Sequence, residues 1–218
     1  DISIASITSK RILVKFFDEY KLDIELKDKI NAIKKNSHST NNLKKINSSV
    51  TLLIAKLVQQ SISKYKLSYK DIHAAGFTGI TLNHRPDLKT STFIGDPIIL
   101  SKRLKITVVS DFRQTDIDAG GQGAPLAGLF HNYLNSIIKK NITYLNLGGF
   151  ANITVSHQDR TISYDTGPAN YLIDLWCDKY FDMEYDLDGS LASMGNINIE
   201  LLKSMLKEKY FKKNCPKS

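Results

Sequence analysis

The chain has 218 residues, of which 42% are apolar and 24% charged, the balance of a soluble globular protein long enough for one large or two small domains. No apolar run reaches the roughly eighteen residues of a membrane helix, Asp1-Ile2-Ser3-Ile4-Ala5 does not read as a signal peptide, and Cys177 and Cys215 are too few for a disulfide framework, so a cytoplasmic protein with no membrane partner is expected. The formal net charge of +8 invites a nucleic-acid reading, but the lysines are dispersed through Lys/Asn/Ile/Ser-rich stretches such as 27–45 without any RNA-binding aromatic motif, Cys/His finger or basic heptad, so no nucleic-acid partner is expected.

Residues 2–8 alternate Ile2, Ile4 and Ile7 with small polar side chains, which predicts a short strand. Chains seldom start inside a strand, so a segment upstream is expected. Residues 13–20 fit a strand or a helix equally well. Leu26, Ile30 and Ile33 predict a helix over 26–33, and 37–42 reads as a loop. Val50, Leu53, Ile54, Leu57, Val58 and Ile62 mark the clearest amphipathic helix, over 47–65. A short buried strand over 73–77 ends at Thr78-Gly79-Ile80-Thr81, another covers 92–94, and a helix over 97–104 has Pro97 near its start. Residues 106–110 form a β-branched strand closed by Asp111-Phe112-Arg113. A turn at 120–125 precedes a helix over 126–138. Strands over 143–147 and 151–156 flank Gly148-Gly149 as in a hairpin. Helices are predicted over 168–180, with Pro168 in the first turn, and over 199–207, after which Asn214-Cys215-Pro216-Lys217-Ser218 adds no closing element. Strands alternating with helices indicate an α/β fold.

Three segments carry candidate chemistry. Gly120, Gly121, Gln122 and Gly123 form a turn in which glycine permits positive φ and close backbone approach to a ligand, while a following helix would aim free N–H groups at it; a plain loop explains the same residues equally well. Gly148-Gly149 is a weaker signal, because a hairpin turn needs no function. Asp165, in Ser163-Tyr164-Asp165-Thr166-Gly167-Pro168, stands where a strand hands over to a helix and is the best candidate for a base. Taken alone, a helix cap or turn former is the commoner explanation of such an aspartate. Asp111, Asp116 and Asp118 surround Arg113 as a sugar or Mg²⁺ site would, or as a surface ion-pair loop would. The five histidines show no metal-ligand spacing, so no protein metal site is expected. His131 reads as structural, and Trp176 and Cys177 fall on a helix and read as core.

Taken in order, Ile94-Gly95-Asp96-Pro97, Asp111-Phe112-Arg113, Ala119-Gly120-Gly121-Gln122-Gly123-Ala124-Pro125-Leu126, Asn146-Leu147-Gly148-Gly149-Phe150-Ala151-Asn152-Ile153-Thr154, Asp165-Thr166-Gly167-Pro168 and Tyr185-Asp186-Leu187-Asp188-Gly189 resemble the anhydro-N-acetylmuramic acid kinases of bacterial cell-wall recycling. The resemblance runs from about residue 74 to 218 and is weaker upstream. It implies a two-lobed α/β sugar-kinase fold of the actin, hexokinase and Hsp70 (ribonuclease H-like) type, with ATP and sugar between the lobes. Residues 1–140 would belong to the first lobe, without its first strand and phosphate loop, and 141–218 to the start of a truncated second lobe. In the implied reaction, water opens the 1,6-anhydro bridge and the freed O6 takes the γ-phosphoryl group of ATP, with Mg²⁺. Asp165 would be the general base. Gly148, Gly149, Asn152 and Asp1 would contact the nucleotide phosphates, and Arg113, Gly120, Gly121, Gln122 and Gly123 would line the amino-sugar side. Similarity to dimeric kinases admits a homodimer.

The chain departs from the family in three places. Asp1 matches the residue after a Gly-Thr-Ser-Leu-Asp-Gly phosphate turn, Thr78 and Ile80 replace the histidine and glutamine of a His-Gly-Gln-Thr motif, and the family continues beyond Pro216-Lys217-Ser218. The expectation is therefore a kinase fragment inactive by itself; an inactive relic or sugar-binding remnant is the alternative. Another kinase of the same fold acting on a different sugar stands against the whole motif set.

Overall fold

Side-chain patterning carries most of the α/β architecture seen in the computed structural model, which describes residues 1–8, 11–35, 40–140, 142–157 and 160–215. The chain packs as two units, Asp1–Gly123 and Ala124–Ser218.

In the first unit, β1 (Ile2–Ile7) and β2 (Ile12–Asp18) form an antiparallel hairpin. The segment compatible with either strand or helix is thus a strand, as suits Ile12, Val14, Phe16 and Phe17, and the Phe16 ring stacks on Tyr65 at 3.9 Å. Helices α1 (Ile24–Lys35) and α2 (Thr40–Lys64) follow. Of the loop expected at 37–42, residues 37–39 lie outside the described residues and 40–42 are helical. Next come β3 (Ala74–Gly76), β4 (Ile80–Arg85), β5 (Thr90–Ile94), α3 (Pro97–Leu104), β6 (Thr107–Val109) and α4 (Phe112–Asp118). Strands β3 and β6 pair in parallel, and β4 and β5 form a hairpin. Neither β4 nor α4 is anticipated by the sequence pattern. Asn83, His84 and Arg85 dilute the apolar alternation of β4, and α4 is a short run of mostly polar residues.

One face of α2 nucleates this unit. Val50 packs with Ile30 and Ile94, and Ala55 with Phe77, Leu100, Leu104 and Ile106. The same helix pins the turn into α3. Asn47 Oδ1 accepts from the Gly95 N–H at 2.6 Å and Thr51 Oγ1 from the Asp96 N–H at 2.8 Å. Asp96 Oδ1 then caps α3 by accepting from the N–H groups of Ile98 and Ile99, both at 2.9 Å. A Cβ on Gly95 would lie 2.4 Å from the Phe77 ring, so this glycine is required by packing.

In the second unit, α5 (Gly128–Ile138) lies on the antiparallel sheet β7 (Tyr144–Leu147), β8 (Phe150–His157) and β9 (Arg160–Pro168), with β8 central. Helix α5 packs against β8 and β9 within the unit Ala124–Ser218. Helices α6 (Asn170–Phe181), α7 (Ser190–Ser193) and α8 (Ile199–Met205) complete the unit. Pro168 ends β9 instead of opening α6. Among the described residues no helix is long and apolar enough to cross a membrane.

Asp18, at the end of β2, is a buried charge of the first unit. Its carboxylate pairs with Lys64 and accepts from Ser61 Oγ at 2.7 Å and Tyr65 Oη at 2.8 Å, all at the C-terminal end of α2. The Lys64 hydrogen bond, followed by that of Ser61, holds the Asp18 pKa down to about 2. Since this lies below the ordinary value of about 4, the carboxylate's contribution to stability is complete above that pH and is lost as the pH falls toward 2. Asp18→Asn is expected to melt below the parent at pH 7. The gap in melting temperature should narrow steadily between about pH 4 and pH 2, and a gap independent of pH would contradict this role.

Candidate active site

Asp165 lies within β9, three positions before the strand ends at Pro168 and α6 follows. Its backbone register is unusual: Asn152 pairs with Asp165 but the neighbouring Ala151 pairs with Gly167, so Thr166 is an extra residue without a partner in β8. Such a bulge bends the strand and re-aims its side chains. The Thr166 hydroxyl donates to the Ala151 carbonyl at 3.2 Å and ties the extra residue to β8. On the outer side, Tyr210 Oη donates to the Asp165 carbonyl at 3.0 Å, and a Cβ on Gly167 would stand 2.9 Å from the Phe211 ring.

Across the sheet, Asn146 pairs with Asn152 and Asn152 with Asp165, which places three polar residues in one row. Two positions along the strands, Tyr144, Thr154 and Ser163 form another row on the same face. Here α5 is fastened: His131 Nδ1 and Thr154 Oγ1 are 2.8 Å apart, Thr154 Oγ1 and Ser163 Oγ are 2.8 Å apart, and Tyr144 Oη donates to Asn135 Oδ1 at 2.9 Å. His131 also stacks on Tyr144 at 4.2 Å. Gly128 starts the helix against Ser163, where a Cβ would come within 2.3 Å of the hydroxyl oxygen. His131 is therefore structural, as expected, and Asp165 sits next to a rigid, hydrogen-bonded support.

Gly148 and Gly149 form the β7–β8 turn. Their carbonyls accept from α6: Gly149 from the N–H groups of Ala169 at 2.9 Å and Tyr171 at 3.1 Å, Gly148 from that of Asn170 at 2.9 Å. The hairpin thus caps the helix that follows Asp165. With the carbonyls engaged, the glycine N–H groups are what this turn can offer a phosphate oxygen. Neither glycine has positive φ, and a Cβ would meet nothing closer than 3.5 Å at Gly148 or 3.6 Å at Gly149. Neither conformation nor crowding demands glycine at these positions.

The turn at 120–123 differs. Gly120 and Gly123 have φ of +94° and +68°, and a Cβ on Gly121 would overlap the Asp116 carboxylate at 2.1 Å. That carboxylate accepts from the Gly123 N–H at 2.7 Å, while Arg113 Nη1 donates to the Gly123 carbonyl at 2.8 Å. Helix α4 therefore clamps the turn through Arg113 and Asp116, and Gly120, Gly121 and Gln122 remain exposed. Arg113 serves the turn directly, with its Nε buried and without a hydrogen-bond partner. Asp111 precedes α4 at φ +62° and makes no capping bond.

Asp1 is exposed just before β1. Ile80 packs against the Ile30, Val50 and Ile94 cluster, while Thr78 is exposed. Asp186 accepts from the N–H groups of Leu191 at 2.8 Å and Ala192 at 3.0 Å, and these bonds lower its pKa; its motif is a turn into α7. Among the described residues no group of three His, Cys, Asp or Glu side chains could hold a metal ion. Asn146, Thr166 and Tyr210 join Asp165 without a signal of their own in the sequence. The strand pattern brings Asn146 and Asn152 into register, but nothing local connects Tyr210 to Asp165.

Comparison with known proteins adds an independent result. The family model described as anhydro-N-acetylmuramic acid kinase matches residues 1–218. A protein of that name from Sulfurimonas denitrificans is 40% identical over all of this chain and 60% of its own length. One from Hydrogenovibrio crunogenus is 34% identical with the same coverage, and one from Zymomonas mobilis is 42% identical over 78% of this chain and 47% of its own. The chain thus spans about 60% of the length of the first two curated relatives.

The contrast between the two glycine turns is testable by thermal melting. Gly121→Ala must displace Asp116 from the Gly123 N–H, so it should cost about 1–2 kcal/mol. Gly148→Ala should melt with the parent, and the reverse order would contradict the packing described.

Proposed function

The chain belongs to the anhydro-N-acetylmuramic acid kinase family, and on that premise we propose that the protein opens 1,6-anhydro-N-acetylmuramic acid with water and phosphorylates it from ATP to N-acetylmuramic acid 6-phosphate. The observation that carries this reading is Asp165 on a fixed bulge, in register with Asn152 and in the same sheet as a glycine turn that the backbone does not require.

Asp165 takes a proton from the attacking water, and the water oxygen bonds to the anomeric carbon as the bridge to O6 breaks. O6 then attacks the γ-phosphorus of ATP and ADP leaves. Proton acceptance suits a carboxylate, while phosphoryl transfer depends on positioning and charge neutralisation. The N–H groups of Gly148 and Gly149 meet phosphate oxygens, and Asn152, directly across from Asp165, orients a ligand or the carboxylate beside it. Arg113 acts through the turn it holds, and Gly120, Gly121, Gln122 and Gly123 present their backbone to the sugar. Asp1 is assigned to the nucleotide side by its place after the family's first phosphate turn. Mg²⁺ would be carried by the ATP phosphates and would neutralise part of their charge.

The actin-type two-lobed fold, with 1–140 in the first lobe and 141–218 in the second, belongs to the same proposal, as do a cytoplasmic location and a homodimer. The Ile80 replacement is accommodated by the core of the first unit, so it does not by itself favour an inactive relic.

In the full-length protein, Asp165→Asn is expected to lower sugar-dependent ADP release by at least about 10²-fold while nucleotide binding is retained; unchanged turnover would remove Asp165 from its role. Gly149→Ala should raise the KM for ATP by roughly tenfold, the cost of about one good phosphate contact, without altering the melting temperature. An unchanged KM would take the hairpin out of the phosphate site.

A further inference from the structure

Strand β9 is the outer strand of its sheet, so among the described residues one row of its peptide groups has no strand beside it. At Asp165 that row is met from elsewhere in the chain. A single 3₁₀ turn at Lys209–Lys212 brings Tyr210 and Phe211 against the bulge. Tyr210 Oη donates to the Asp165 carbonyl at 3.0 Å, and the Phe211 ring occupies the space where Gly167 has no side chain. From the opposite side, Thr166 Oγ1 bonds the Ala151 carbonyl at 3.2 Å. The extra residue of the bulge is therefore held on both flanks, with Asp165 and Gly167 as the two clamped positions.

We propose that Tyr210 is a positioning residue for the reaction, fixing the peptide of Asp165 so that its carboxylate stays aimed at the attacking water. This rests on the reading of Asp165 as the base. A bulged edge strand has fewer ladder bonds to define its backbone, and a rotation of the Asp165 peptide would swing its carboxylate away from the reacting atoms. Small misplacements of a catalytic group are costly in rate. Tyr210 opposes that rotation with one directed bond, and its ring is locked edge-on to Phe211 at 5.7 Å. Burial first, and then the nearby Asp165 charge, raise the Tyr210 pKa, so the hydroxyl keeps the proton it donates.

The test is Tyr210→Phe in the full-length protein, which removes only the hydroxyl. The expected result is a fall in kcat of about three- to tenfold, the loss equivalent to one hydrogen bond. KM for ATP and sugar should stay within about twofold of the parent. The solvent deuterium isotope effect on kcat should increase, because a misplaced base makes proton transfer more limiting. Unchanged kcat would overturn the proposal. So would a lower kcat with an unchanged isotope effect, which is what loss of folded enzyme produces. Asp165→Asn assayed in parallel separates the two readings. If it retains turnover, the base assignment fails; if it is inactive while Tyr210→Phe matches the parent, only the Tyr210 proposal fails.

Discussion

Strand β9 carries one residue more than β8 between Gly167 and Asp165, and the surroundings of Asp165 hold that extra residue in place. A sheet in perfect register would continue its two-residue alternation to Pro168. The bulge breaks it at Thr166 and gives Asp165 an orientation that simple alternation would not supply. A backbone irregularity of this kind persists only if its neighbours over-determine it. Here they do so through Thr166 to β8, Tyr210 to the Asp165 carbonyl and Phe211 to Gly167. The Gly148 and Gly149 carbonyls then receive the first peptide N–H groups of α6, joining hairpin, bulge and helix into one support.

The glycines of the two turns divide by cause. At 120–123 they satisfy positive φ and the space taken by the Asp116 carboxylate, so the shape of the turn explains them. At 148–149 neither conformation nor crowding does. The same reasoning sorts the motifs. Asp96 caps α3 and Asp186 the turn into α7, whereas Asp165 lies inside a strand and is not the helix cap that its place before Thr-Gly-Pro first suggests.

Much of this was legible in the sequence. Apolar periodicity located α2, and the proline before Ile98 located α3, because both signals are local. The hairpin was readable from two β-rich runs around Gly148-Gly149. Strand β4 was not, since its alternation fades at Asn83, His84 and Arg85, and neither was α4, whose short polar run includes Arg113, Gln114 and Asp116, residues that serve the neighbouring turns. Within the site, Asp165 and the glycines could be named from motif order. The bulge could not, because a register shift depends on which residues of β8 and β9 bond, and Tyr210 could not, because its partner is distant in sequence. Asp18 escaped notice for the same reason: Ser61, Lys64 and Tyr65 become its ligands only when β2 meets α2.

The most direct test of Asp165 as the base is a crystal structure of the full-length protein with the anhydro sugar and a non-hydrolysable ATP analogue. The expected result is a water within hydrogen-bonding distance of the Asp165 carboxylate and in line with the anomeric carbon, with phosphate oxygens against the N–H groups of Gly148 and Gly149. A sugar bound with its anomeric carbon out of reach of any water held by Asp165 would contradict it.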